Sequence, residues 1–196
     1  MFIISKEAQI ELIEKKSKFI TRAKIVYSEK EAQIAIKEIV NQEKGAVHNC
    51  YSYRILQNNN IVERKNDDGE PGGTAGAPML SVLSSENLVN ILVVTTRYFG
   101  GIKLGTGGLV HIYKKGVVEV LKLSGKKEFK IFSKYKIILP INEVSHLEYI
   151  LKKENIKILE KNFSEDVSFI VEIEADFVEK LDKISKTING KVSEVL

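Results

Sequence analysis

Arg97-Tyr98-Phe99-Gly100-Gly101-Ile102-Lys103-Leu104-Gly105-Thr106-Gly107-Gly108 is the stretch on which the reading of this chain turns. It follows an apolar run, Leu88 to Thr96, that reads as a central strand, and it leads into a helix-like stretch from about Gly108 to Leu123. It is therefore a strand-to-helix connection built largely of glycine. A second such patch, Asp67-Asp68-Gly69-Glu70-Pro71-Gly72-Gly73-Thr74-Ala75-Gly76, runs into another apolar helical segment, Ala77 to Ser85. Together the two patches hold nine of the thirteen glycines. Glycine loses more backbone entropy on folding than any other residue, so such clusters imply positive φ angles or a close approach of backbone to something else.

A helix start leaves N–H groups without an intrahelical partner and carries partial positive charge. Arg97 and Lys103 add two cations beside the second patch, and His111 lies one turn into the helix. The candidate anion site is thus Arg97, Gly100, Gly101, Lys103, Gly105, Gly107, Gly108 and His111, with Thr74 and Gly76 from the first patch. The alternative is that the glycines serve tight turns and close packing while Arg97 pairs with a local carboxylate. A Walker A loop is excluded, because Thr106 stands where the lysine belongs after Gly100 and Gly105. A dinucleotide fingerprint is excluded too, since the patch contains no G-x-G-x-x-G.

Outward from the patches, Ala8 to Glu14 and Phe19 to Tyr27 read as strands. Ser28-Glu29-Lys30-Glu31 is a capping box that opens a helix to about Gln42. Its apolar stripe is Ala32, Ala35, Ile36, Ile39 and Val40. His48 to Gln57 and Ile61 to Lys65 form a hairpin around Asn58-Asn59-Asn60. Gly125 caps the last helix of this half, and the polar Lys126-Lys127-Glu128 marks a boundary near residues 125–132. Residues 1–125 carry 17 Lys+Arg against 13 Asp+Glu, a net +4, and residues 132–196 carry 10 against 12, a net −2. The second part reads strand (Lys134 to Leu139), helix (Asn142 to Glu154), strand (Ile156 to Phe163), strand (Val167 to Ala175), helix (Phe177 to Ile188), strand (Gly190 to Val195). That βαββαβ order is the ferredoxin-like arrangement. Its sheet aromatics, Phe163 and Phe169, are the candidates for stacking RNA bases, though neither lies in an RNP-like run.

A hydrophobic fraction of 43% with 29% charged residues is that of a globular protein. The net +4 permits an anionic partner without demanding one. With Cys50 as the single cysteine, no internal disulfide can form and a Cys-rich zinc site is excluded. The charged N-terminus lacks a signal peptide's pattern, and no apolar run nears a membrane span, so a cytoplasmic address is expected. Asp67, Asp68 and Glu70 offer oxygen ligands to a cation or caps to the following helix. No metal is expected, and Asp68 and Glu70 are the weak candidates. His48 and Cys50 share one strand face. They form either a nucleophile pair or a buried thiol beside a hydrogen-bonded histidine. The missing orienting group weighs for the second.

His48-Asn49-Cys50-Tyr51-Ser52-Tyr53, Asp68 through Pro78, and Thr96 through Val110 continued to Tyr113 resemble the IMPACT family, whose bacterial members include the YigZ proteins. Ser17-Lys18-Phe19 fits that family's opening strand. The resemblance implies an α+β chain. An N-terminal α/β two-layer sandwich like elongation factor G domain IV (residues 1–125) precedes a ferredoxin-like domain resembling elongation factor G domain V (residues 132–196). Eukaryotic relatives bind the activator of the kinase that phosphorylates translation initiation factor 2. Bacteria lack that pathway, so this partner does not carry over. The implied role is a cytoplasmic regulatory or translation-associated binding protein contacting RNA, the ribosome or a regulatory protein, with no cofactor and no membrane. The alternative is an enzyme acting on a small phosphorylated or carboxylated substrate, with Asp68 and Glu70 holding a metal or moving a proton. One departure stands out: His111 occupies the position where the family commonly has arginine.

Overall fold

The computed structural model describes residues 1–58, 60–163, 166–174 and 177–195. Asn59 of the expected hairpin and Ala175 at the end of an expected strand lie outside the described residues. The chain divides into two units, Met1–Phe129 and Lys130–Leu196. In chain order the first holds β1 (Phe2–Ile4), β2 (Ala8–Glu14), β3 (Ser17–Ile25), α1 (Glu29–Gln42), β4 (His48–Gln57), β5 (Asn60–Asn66), α2 (Gly76–Ser85), β6 (Ile91–Tyr98), α3 (Gly105–Ser124) and β7 (Lys126–Glu128). The second holds β8 (Phe132–Leu139), a short 3-10 turn (Ile141–Glu143), α4 (Val144–Lys153), β9 (Lys157–Phe163), β10 (Val167–Glu174), α5 (Val178–Thr187) and β11 (Lys191–Val195).

The first unit is organised by an antiparallel sheet of order β2-β3-β6-β4-β5. β6 is its middle strand, and its residues alternate between two cores. Ile91 and Val93 join Phe19, Ala23, Met79, Leu83, Leu109 and Ile112 under α2 and α3. Leu92 and Val94 join Tyr53, Ile55, Ala32, Ala35, Ile36 and Ile39 under α1. Burial on both faces explains why this strand reads as an unbroken apolar run. The capping box of α1 forms as expected at its serine: Glu31 N–H donates to Ser28 Oγ at 3.2 Å. The Glu31 carboxylate reaches back to Tyr27 N–H at 2.9 Å.

Four boundaries differ from the sequence reading, and two of them, the end of β6 and the start of α3, bear on the site. β6 starts at Ile91, because Asn90 turns at φ 55 and its side chain accepts from Leu56 N–H at 3.0 Å. The strand also runs on through Arg97, so that residue lies inside the sheet, opposite Phe19 on β3 and His48 on β4. α3 begins at Gly105, three residues early, which takes Gly105, Gly107 and Gly108 into the helix. The polar segment Lys126–Glu128 pairs with Phe2–Ile4 as a small two-stranded sheet. Exposed side chains conceal a strand whose partner is 122 to 126 residues away in the chain, from Ile4↔Lys126 to Phe2↔Glu128.

The second unit is an antiparallel sheet of order β11-β8-β10-β9, the strand order of a ferredoxin-like fold. Val167, Phe169, Val171 and Ile173 alternate onto its buried face with Leu147 and Leu151 of α4 and Leu181 of α5. Phe169 is 0% exposed, so it cannot stack a base, and the expectation for it is corrected. The period-two run of apolar neighbours places it in the core. Phe163 is 61% exposed at the end of β9.

Candidate functional site

The first glycine patch is bent by a tight turn. Asp68 and Gly69 take φ 44 and 84, and Glu70 N–H closes the turn onto Asp67 C=O at 2.9 Å. This turn sends the Asp67 carboxylate to the start of α2. It accepts from Gly73 N–H at 2.8 Å, Ala75 N–H at 3.0 Å and Gly76 N–H at 2.8 Å. Thr74 is buried and its hydroxyl donates to Pro71 C=O at 2.6 Å. The expectation that Thr74 and Gly76 offer donors to an anion is therefore corrected: the protein supplies its own anion there.

Burial works against the Asp67 charge, but the amides of Gly73, Gly76 and Ala75 outweigh it and hold the carboxyl below its usual range. Its contribution to stability is present above its unfolded pKa, near 4, and is lost as pH falls through the lower folded value. Asp67→Ala should destabilise the unit by about 1–2 kcal/mol at neutral pH. Urea midpoints measured from pH 7 down to pH 2 should then converge with wild type at the acid end.

The same turn delivers Glu70, which is buried, to Arg97. Arg97 Nη1 lies 2.7 Å and 2.9 Å from the two carboxylate oxygens. Tyr113 OH of α3 donates to Glu70 Oε1 at 2.7 Å, and Cys50 Sγ lies 3.3 Å from Tyr113 OH and 2.9 Å from Asp67 C=O. Burial pushes the Cys50 thiol up to about 12, helped by Glu70, Asp68 and Asp67, and opposed by the Tyr113 hydrogen bond. Burial and then Cys50 and Glu70 drive the Tyr113 hydroxyl far above its ordinary range. Both groups stay protonated at neutral pH, so the Cys50–His48 nucleophile reading fails. His48 faces Glu70 instead, Nε2 to Oε2 at 3.8 Å, while its Nδ1 is 2.6 Å from Asp68 C=O. That carbonyl can only accept, so the proton sits on Nδ1.

Arg97 is 6% exposed, with its guanidinium carbon 5.4 Å from the Phe19 ring centre and 5.5 Å from that of Phe99. Only Nη1 reaches Glu70; Nε is buried without a partner among the described residues. An orphaned donor of this kind calls for an explanation. Arg97 and Glu70 line a cleft of about 430 Å³, together with His48, Phe99, Lys103, Gly105 and Thr106. Leu104 at the N-cap of α3 supplies no side-chain cap. Among the described residues, no carboxylate meets the first-turn amides of α3 as Asp67 meets those of α2. His111 is exposed on α3 but does not line the cleft.

The two weak metal candidates are engaged within the protein. Asp68 Oδ2 accepts from Asn49 N–H at 2.6 Å, and Glu70 is held by Arg97 and Tyr113. Among the described residues no three His, Cys, Asp or Glu side chains group as a metal site. A separate hollow of about 310 Å³ between the C-terminal ends of α2 and α3 is mostly apolar, lined by Val82, Leu88, Val118 and Leu121.

The Impact N-terminal domain model matches residues 15–121, more than half of the chain. The chain belongs to the IMPACT family. A second model, a domain of unknown function (DUF1949), matches residues 142–189. The family member YvyE of Bacillus subtilis is 37% identical over 191 residues, covering 97% of this chain and 88% of that protein. YigZ of Escherichia coli is 30% identical over 177 residues, covering 88% and 87%. An IMPACT homolog of Dictyostelium discoideum is 48% identical over 102 residues, half of this chain and 29% of that protein. A solved structure described as a hypothetical protein superposes with a TM-score of 0.67 at 27% identity, covering 99% of this chain and 95% of that one. The region matched to the family's N-terminal domain includes both glycine patches, the Arg97–Glu70 pair and the cleft. No helix among the described residues is long and apolar enough to cross a membrane.

Proposed function

We propose that this IMPACT-family protein is a cytoplasmic, translation-associated regulatory binding protein, and that its cleft takes an anionic group of its partner. One observation carries the reading: Arg97, whose buried Nε has no partner among the described residues, lines a cleft with Lys103 and the start of α3, whose N-cap residue gives no side-chain cap. The Arg97 charge is balanced by Glu70, so the attraction rests on Lys103 and the first-turn amides of α3 more than on net positive potential. Gly107 adds support. It lies in the first turn of α3, exposed, at an ordinary φ, and a Cβ there would meet nothing within 4 Å. The fold does not require glycine at this position, and bare backbone is what a closely approaching partner needs. The enzymatic reading loses its groups, because Asp68 and Glu70 are already engaged.

Titration of a 5′-phosphorylated nucleotide, read by calorimetry or fluorescence, tests the proposal. Lys103→Ala should weaken binding roughly five-fold, about 1 kcal/mol. His111→Ala should leave it unchanged. Equal affinities of wild type and Lys103→Ala would remove the cleft from consideration.

A further inference from the structure

β2 and β3 are joined by only two residues, Lys15 and Lys16, closed by the Glu14↔Ser17 pair. Both lysines sit in the left-handed region, at φ 45 and 64. Two central residues at positive φ match the type I′ hairpin turn, which Asn-Gly fills with least strain. Any L-residue with a longer side chain is held there at the expense of stability. Both side chains are exposed, and neither ammonium has a carboxylate partner among the described residues, whereas nearby Lys18 pairs with Glu11 at 3.7 Å. The two lysines therefore do nothing for the fold that Asn-Gly would not do better.

Their position ties them to the second glycine patch. A Cβ on Gly100 would lie 2.0 Å from the Lys16 carbonyl carbon, and Gly100 N–H donates to Ser17 Oγ at 3.1 Å. The lysine turn and the patch thus form one ridge. Phe99, 47% exposed, adjoins Gly100 on it, and Lys103 follows three residues later at the cleft.

We propose that the Lys15–Lys16 turn is a phosphate-contacting element that extends the cleft into a track for single-stranded nucleic acid. This rests on the reading of the cleft as an anion site. Flexible point charges beside an exposed aromatic ring and bare backbone are what a strand of phosphates and stackable bases requires. An acidic protein would satisfy the lysines but give the ring no role.

The test pairs stability with binding, because a structural role for the lysines predicts the opposite sign. Lys15→Asn with Lys16→Gly should raise Tm by about 2–4 °C. It should also weaken binding of a labelled ten-nucleotide oligouridine at least five-fold. The salt slope of log K should fall by about 1.4, the release expected for two single-strand phosphate contacts. Binding of a mononucleotide 5′-phosphate should not change. Lys15→Arg with Lys16→Arg should keep wild-type oligonucleotide affinity. Unchanged oligouridine affinity and slope in the Asn-Gly variant would overturn the inference while leaving the cleft reading intact. So would lysine-dependent binding of polyglutamate by a wild type that ignores oligouridine. Wild type that binds neither oligouridine nor mononucleotide would overturn both.

Discussion

Glu70→Ala is expected to destabilise the N-terminal unit by about 3–5 kcal/mol, the largest effect of any single substitution near the cleft. The substitution leaves the Arg97 charge buried between Phe19 and Phe99 with no counter-charge. It also removes the acceptor of the Tyr113 hydroxyl. Against a typical total stability of about 5–15 kcal/mol, such a loss brings the unit close to unfolding at ambient temperature. Arg97→Ala should be similarly severe, because it strands the carboxylate. Removing both partners in favour of apolar residues of similar volume, Glu70→Leu with Arg97→Met, should recover much of either single loss, since no uncompensated charge remains. Urea denaturation of the four proteins measures this as a coupling energy. Additive losses would show that the pair does not act as a unit.

Gly100→Ala is expected to be nearly as damaging for a steric reason. The new methyl would lie 2.0 Å from the Lys16 carbonyl carbon, 2.1 Å from its oxygen and 2.5 Å from Ser17 N. All three are backbone atoms of a paired hairpin, so no side chain can swing aside. The β2–β3 hairpin must separate from the loop, and a loss at or above the roughly 1–3 kcal/mol of ordinary overpacking follows. Gly107→Ala is the matched control. It meets no atom within 4 Å, and an alanine in the helix should stabilise by about 0.5–1 kcal/mol. Thermal unfolding of the two variants should move in opposite directions from wild type. A Gly100→Ala protein as stable as wild type would mean that the ridge is not packed as described.

Much of the architecture is legible in the sequence because it is written in local periodicity. The Ser28–Glu31 capping box, the two-sided apolar run of β6 and the βαββαβ order of the second unit need no long-range information. Strand β7 escapes, since three exposed charged residues carry no pattern and their pairing with Phe2–Ile4 is set by distant chain. At the site, the spacing shows glycine-rich helix starts but not which of them is already filled. Asp67 caps α2 from outside the N-cap position, nine residues before Gly76, where no local capping rule looks. Arg97 reads as a cation following the strand. Its place within β6, facing Glu70, depends on the folding of the first patch against the second, which spacing alone does not encode. Lys15–Lys16 carries a signal that could have been found: two residues between alternating runs predict a hairpin turn that demands positive φ, and two lysines there break its chemistry.

An anion is expected at the start of α3, beside Arg97 and Lys103, and not at the start of α2. Titrating inorganic phosphate into ¹⁵N-labelled protein and following backbone amides together with the Arg97 Nε–H resonance addresses this directly. The account predicts saturable shifts at Gly105, Thr106, Gly107 and Arg97 Nε, with Gly73, Ala75 and Gly76 unmoved because Asp67 occupies them. Shifts confined to the Gly73–Gly76 amides, or none at either helix start, would contradict it.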